Sequence, residues 1–402
     1  MRGFSSPVTK SNRCILMFIT VIVMLLIAPN ILANNLTVDC SGATPGAFTD
    51  LQSAIDSLPV NSSGEPHTIT VTGTCAPASI DSRQRITIEA PANQTATIAN
   101  PTPNGILLSI GRSRSIILRN LKLSGGNIGV FLDQNSEVTI EDLTIENSRR
   151  GIVLFQNSSI ATGGNILIRN NSSHGIELDE GSVMVLGQAT IENNAGNAIL
   201  LGNGSRATIT NTTMTGNASG VVVFQGSAAR FALQNTIQNN NFSGVLVRDG
   251  SAVVFDGHTI LDGNPQNGLG ILASKAEVRG TLKVRNNGST SFPLHNGIGI
   301  DGGGTLIIVN NTEISGNTGP GINVRGNSVL YLSSGAPISI QNNTEEGIRV
   351  TRLALLTIFL PVTINDNPAG SITCDKTALV AGALDGITNI KCSRIESQNS
   401  GQ

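Results

Sequence analysis

Glu177 and Asp179 stand two residues apart in the stretch HGIELDEG, residues 174–181. On an extended strand that spacing puts both carboxylates on one side, about 7 Å apart at the backbone. Two carboxyls so placed can act as acid and base in cleaving a glycosidic bond, or hold a calcium ion from one side. Arg149 and Arg150, a short way upstream, would supply positive charge for an acidic sugar. Acids on an exposed strand also serve simply to hydrate it, so the meaning of the pair depends on its surroundings. Four histidines, His67, His174, His258 and His295, are scattered without metal-ligand spacing. No motif calls for a cofactor, and calcium at the acid pair is the one ion the chemistry would admit.

The elements that would position these side chains come from a repeat. A Gly-aliphatic-x-aliphatic unit recurs at Gly105, Gly129, Gly151, Gly175, Gly220, Gly244, Gly268, Gly297, Gly321 and Gly347, with Ala198 in the one gap. Near-equal steps of that kind are the signature of stacked units that cannot bury their apolar faces alone. Each unit holds three short alternating stretches. The first follows the glycine (Ile152/Leu154, Ile176/Leu178, Val221/Val223), and the second follows a polar turn (Leu186, Ile209, Phe231, Phe255). The third ends in Ile145, Ile168, Ile191, Met214 or Ile237, just before an Asn-rich corner. Alternation over four to six residues means a strand with one buried face. Turns this short hold no crossover helix, so the chain must coil and pair each strand in parallel with its equivalent one coil away.

The corner explains the asparagines. Asn147, Asn170, Asn193, Gly216 and their equivalents occupy a position suited to a left-handed backbone. The next position runs from Asn171 through Asn194, Asn217 and Asn240 to Asn367, and these amides can bond along the axis as a ladder. The motif is therefore architectural.

With coil length, corner and strands in place, the chain resembles the right-handed parallel β-helix repeats of the pectate-lyase-like superfamily. It is similar, more closely, to exported bacterial right-handed β-helix repeat-containing proteins, through the TVDC segment (Thr37 to Cys40), the LQ-AI segment (Leu51 to Ile55) and TVTGTC (Thr70 to Cys75). The likeness extends over residues 36–392. It implies an all-β solenoid of about ten to twelve coils with three short strands each and a short N-terminal capping helix. In TDLQSAIDSLP, Thr49 and Gln52 read as a capping box, with Leu51, Ala54, Ile55 and Leu58 on one face. Residues 34–104 would form the N-terminal cap and first coils, 105–370 the repeats and 371–402 the C-terminal cap and tail, one continuous domain.

That superfamily includes lyases, hydrolases, epimerases and adhesins, so the fold leaves activity open. The polygalacturonase pattern is incomplete: no Asp-Asp occurs, and Gly257-His258 is followed by Thr259. The Arg-x-Pro-x-x-Arg stretch of pectate lyases and the Asp-Pro-His of alginate epimerases are absent. Once the ends are coils apart, Cys40–Cys75 and Cys374–Cys392 become the disulfides to expect. Ten steps of about 4.8 Å separate the caps by roughly 48 Å, whereas a disulfide needs its Cα atoms within about 7 Å.

Residues 1–33 have the layout of a secretory signal: a basic start with Arg2, Lys10 and Arg13, an apolar run CILMFITVIVMLLIA, and a small residue at Ala33. Its removal would leave 22 Lys and Arg against 27 Asp and Glu, with no basic patch to attract nucleic acid and no membrane span. An even cysteine count then fits an oxidising, extracytoplasmic setting, secreted, periplasmic or at the cell surface.

The outward positions of the first strand differ from those of the third, which carries ordinary polar residues. Val153, Phe155, Leu200, Val222, Phe224 and Leu246, with Arg248, are expected to form an exposed, largely apolar stripe able to contact a polymer or partner. A longer turn, NNGSTSFPLHN (286–296), would bring Phe292, Pro293 and His295 to the edge of that face. In the same outward row, Val153 and Phe155 one coil below would partly desolvate Glu177 and Asp179, while Gly202 above leaves a gap. Three functions follow as expectations. The first is a non-catalytic exported protein contacting a polysaccharide or surface partner along this face. The second is a polysaccharide lyase or glycoside hydrolase with an unfamiliar site, and the third a structural or adhesive element. Oligomeric state is not legible here.

Overall fold

The computed structural model describes residues 34–60, 65–100, 102, 104–293, 295–333 and 335–397. The expected leader at 1–33 lies outside the described residues. What alternation predicted is present throughout: in Ile86–Glu89, Ile86 and Ile88 are buried while Thr87 and Glu89 turn outward. Every strand pairs in parallel with its equivalent one coil on, as in Ile152 to Ile176, Ile199, Val221 and Val245. The inward rows merge into one continuous aliphatic core, in which Phe231 and Phe255 stack at 4.9 Å.

Fourteen strands stack on the first face, from Ala78–Asp81 to Ile390–Lys391. The solenoid has about 13 turns, slightly more than the ten to twelve expected. The glycine anchor is lost at the ends: the pairing puts Pro77 and Leu107, not the expected Gly105, level with Gly129 in the first two turns of this face, and Ser371 level with Gly347 near the far end. In four coils the second and third strands join into single bent strands, such as Glu137–Glu146 and Arg206–Thr215. One left-handed residue makes each bend, Asp142 and Asn211 in these two. A single residue of that conformation turns the chain without breaking the ladder for long.

The anchor glycine is a packing requirement. A Cβ on Gly220 would sit 2.2 Å from Cγ2 of Ile237 and 2.4 Å from the carbonyl oxygen of Gly244 in the next coil. At the corner, Asn147, Asn170, Asn193 and Asn239 take positive φ. Behind them the buried amides from Asn171 to Asn367 form a ladder, each Nδ2 donating to the next Oδ1 at 2.8–3.1 Å.

A helix, Leu51–Ser57, covers the N-terminal end with Leu51, Ala54 and Ile55 turned inward. Its cap is Asp50, not the Thr49/Gln52 box: the Asp50 carboxylate accepts from Ser53 N at 2.8 Å. Gln52 is instead engaged with the backbone of Ser79, a contact no local pattern announces. Cys40 joins Cys75 with Cα atoms 5.2 Å apart, and Cys374 joins Cys392 at 4.7 Å, so each disulfide staples one end. Among the described residues no helix is long and apolar enough to cross a membrane.

Candidate functional site

Glu177 and Asp179 lie on the first face in the expected register, Glu177 between Val153 and Leu200. Neither carboxylate stands alone. Glu177 Oε2 is 2.9 Å from Nη1 of Arg150, and Asp179 Oδ1 accepts from Nδ2 of Asn203 at 2.6 Å and from the amide N of Glu180. Arg150, expected to meet an acidic sugar, is thus committed to Glu177. Beside them His174 accepts from Asn197 N through Nδ1, which places its proton on Nε2 when neutral. Burial holds its pKa below the usual histidine range, so it is uncharged at neutral pH. Arg149 points elsewhere, into an open groove of about 950 Å³ along the N-terminal corner. That groove has no carboxylate in its lining, which is corner backbone, Ala99, amides and hydroxyls beside Arg149.

The predicted apolar stripe is in register but is not the exposed surface expected. Val153 and Val222 are buried, at 0% and 6% exposure, although both lie outside the main core cluster. Phe155, Leu200, Phe224 and Leu246 are half-buried, and Arg248 alone is exposed, its guanidinium 5.3 Å over the Phe224 ring. The reason is the spacing between coils. Each short valine sits between longer neighbours in its own row, Phe131 and Glu177 for Val153, Leu200 and Leu246 for Val222. Side chains about 4.8 Å apart shield one another from water without any covering segment.

Further along the same row the side chains stop. Leu246 is followed by Gly270 and Gly299, then Asn323 and Arg349. The two glycines leave a hollow of about 230 Å³. Leu246 and Leu272 wall one side, and Asn267, Asn296 and Asn323 line it with amides. These three are nearly buried and bonded in series: Asn323 Nδ2 donates to Asn296 Oδ1 at 3.1 Å, and Asn296 Nδ2 to Asn267 Oδ1 at 2.9 Å. Around the rim every arginine faces a carboxylate. Arg325 meets Asp301 at 2.7 Å, Arg349 meets Glu345 at 2.6 Å and Glu346 at 2.7 Å, and Arg248 is 3.6 Å from Asp249.

The long turn ends beside the hollow at Asn296, while Phe292, Pro293 and His295 are not among the hollow's lining residues. Asn296 N donates to the carbonyl of Gln266, which also lines the hollow, and Phe292 packs edge-on against Phe242 with centroids 5.9 Å apart. Phe242 remains 47% exposed. His295 holds the turn through Nδ1, 2.5 Å from the Phe292 carbonyl. Reading the sequence did not single out the hollow. Its one visible trace was the pair of glycines in an outward row otherwise filled by large side chains. Among the described residues, no group of three or more His, Cys, Asp or Glu is placed to hold a metal.

Three overlapping stretches, residues 69–213, 153–291 and 197–378, match the profile of the right handed beta helix region. Of solved structures, the A-module of the Azotobacter vinelandii mannuronan C-5 epimerase AlgE4 is 14% identical over 90% of this chain and 100% of its own, with a TM-score of 0.51. Pectate lyase Pel9A is 12% identical over 62% of this chain and 75% of its own, at 0.49. An alginate lyase from Paenibacillus sp. str. FPU-7 is 15% identical over 61% and 94%, at 0.46. No curated protein sequence matches the chain. The chain belongs to the right-handed β-helix family, and it shares the fold of the AlgE4 A-module.

Proposed function

We propose that this right-handed β-helix protein works outside the cytoplasm and holds a polysaccharide along its first face without cleaving it, with one sugar ring seated in the hollow over Gly270 and Gly299. The observation that carries the reading is the hollow itself: an apolar wall, amides at the floor and charged groups confined to the rim. Ligand pockets have that make-up, mostly apolar with a few convergent polar groups that fix orientation. The two disulfides suit an oxidising compartment. Glu177 is paired with Arg150, and Asp179 accepts from Asn203 and Glu180, partners that a structural role on a hydrated strand accounts for.

Affinity electrophoresis through gels containing neutral and uronic-acid polysaccharides tests this. At least one polymer should retard the protein, and Gly299→Leu, which fills the hollow, should abolish the retardation. The new Cβ would stand 3.3 Å from Asn267 Oδ1 and Asn296 Nδ2, so a modest fall in melting temperature with a still cooperative transition is expected. Retardation that survives Gly299→Leu would remove the hollow from the reading. Release of new reducing ends or unsaturated products would replace binding by catalysis. Glu177→Gln and Asp179→Asn would then show whether that activity belongs to the acid pair.

A further inference from the structure

Just after the Asn corner, backbone bonds run one column of residues through successive coils: Ser173 N donates to Arg149, Gly196 N to Ser173, Ala218 N to Gly196, Phe242 N to Ala218 and Gln266 N to Phe242. Phe242 is the one aromatic side chain among them. In the three coils below it stand Ser173, Gly196 and Ala218, and in the coil above stands Gln266, which lines the hollow. The long turn, which makes Gly268 to Gly297 the longest step of the repeat, sends Phe292 back to this ring from two coils further on. The contact is edge-on, with the ring planes at 75°. His295 braces the turn: its Nδ1 meets the Phe292 carbonyl, and its Nε2 lies 4.0 Å from Oε1 of Glu345, itself tied to Arg349.

A turn that breaks the rhythm of a repeat is where added function tends to sit, and the aromatic residue in this one supports another that stays 47% exposed. Phe292 closes the Phe242 ring on the C-terminal side of the stack. On the other side the column continues in Ala218, which has no atom beyond Cβ, so that side of the ring is open. An apolar ring held from behind and open in front matches the face of a pyranose, where C–H groups rather than hydroxyls point outward. Leu246, a wall of the hollow, belongs to the same coil as Phe242, and Gly270 and Gly299 follow one and two coils on. From the open side of Phe242 to the middle of the hollow is about two coil steps, roughly 10 Å, more than one sugar ring covers. Resting on the polysaccharide reading above, we infer that Phe242 is a second sugar subsite continuous with the hollow, positioned by Phe292, so that the site takes a chain of linked pyranoses and not a single sugar.

Gluco-, manno-, galacto- and galacturono-oligosaccharides, each from monomer to hexamer, test the inference, with affinities read by ligand-observed NMR for short members and calorimetry for long ones. In a series that binds, wild-type affinity should climb by about tenfold or more from the shortest bound member to the hexamer, since a linked second sugar meets Phe242 at high effective concentration. Phe242→Ala should leave the shortest bound member unchanged and remove that gain, whereas Phe242→Trp should keep it. Phe292→Ala should remove part of the gain by letting the Phe242 ring turn. Affinities equal in wild type and Phe242→Ala at every length, but lost on Gly299→Leu, would overturn the subsite and leave the hollow as the site. A loss in Phe242→Ala that is the same for the shortest member as for the hexamer would also overturn it, because damage independent of chain length belongs to the hollow. Failure of every series to bind would overturn this inference and the polysaccharide reading together.

Discussion

Two amide ladders run through this molecule, and they finish differently. At the corner, the series from Asn171 to Asn367 closes on backbone at both ends: Asn171 Oδ1 accepts from Ser148 N, and Asn367 Nδ2 donates to the carbonyls of Ile340 and Asn365. On the first face, Asn267, Asn296 and Asn323 form a short series whose last acceptor meets nothing. The chemistry of the rungs is the same. What separates the two is where the series ends, in satisfied backbone or in a buried acceptor without a partner.

The strongest way to break that contrast is to cut the corner series. In Asn240→Leu, the backbone N and Nδ2 of Asn217 lose their acceptor, and Asn264 Oδ1 and the Met214 carbonyl lose a donor. Asn217 Nδ2 keeps the Ile191 and Thr215 carbonyls and Asn264 Oδ1 keeps Asn240 N, so Asn217 N is the group stripped of its amide acceptor. At about 1–3 kcal/mol for it and about 1 kcal/mol for each further bond lost, urea unfolding should show a loss of about 3 kcal/mol or more. A loss below about 1 kcal/mol would mean the ladder is ornamental to stability. Next comes the closed part of the first face. Val222→Ser should cost about 1–2 kcal/mol through lost burial of a small apolar side chain, and the half-buried Phe224→Ser should cost less per unit of area removed. The reverse order would place Phe224 beneath a covering that the register does not supply.

The outer series should respond least in stability and most in binding. Asn323→Leu removes one unpaired acceptor but leaves Asn296 Oδ1 without its donor, so the two changes roughly offset and the unfolding free energy should stay within about 1 kcal/mol of wild type, while retardation in polysaccharide gels weakens. A still smaller effect concerns the C-terminal turn. Asp375 accepts from the backbone N of Arg352, from Thr377 N and Oγ1 and from Ala378 N, which holds its pKa at about 2. Because the folded pKa lies below the ordinary 3.8, its contribution is present above that value and is lost as pH falls through about 2. Asp375→Asn should flatten that acid limb in melts recorded across this range, and an unchanged limb would show the turn already open in acid. As the group is near the surface, the slope will be shallow and salt-sensitive.

The coil, its corner and both disulfides are legible in the residues because each rests on short-range rules repeated many times: alternation for strands, Asn or Gly for a left-handed corner, distance for the cysteines. The terminal coils escape that reading because Pro77, Leu107 and Ser371 stand where the anchor glycine would be. Asp50 displaces Thr49 as helix cap by one residue, a margin that local pattern seldom resolves. The burial of Val153 and Val222 depends on the length of side chains in neighbouring coils, which alternation within one strand does not report. The hollow is harder still. Asn267 and Asn296 directly precede their anchor glycines, whereas Asn323 lies two positions after Gly321. Its amides come from two different rows of the repeat, so no single column shows them together.

In a stack where each coil touches only its neighbours, unravelling has to begin as a peel from one end. The cross-links Cys40–Cys75 and Cys374–Cys392 sit at those two starting points. They leave the middle of the rod untouched and instead make the first step of the peel covalently forbidden. A polymer held over the hollow would load the rod near its centre, and a tug on the tethered polymer would reach the extremities only through the stacked coils. Reduction should therefore show itself as a shortened lifetime under protease or sustained load, more than as a change in the resting shape of the rod.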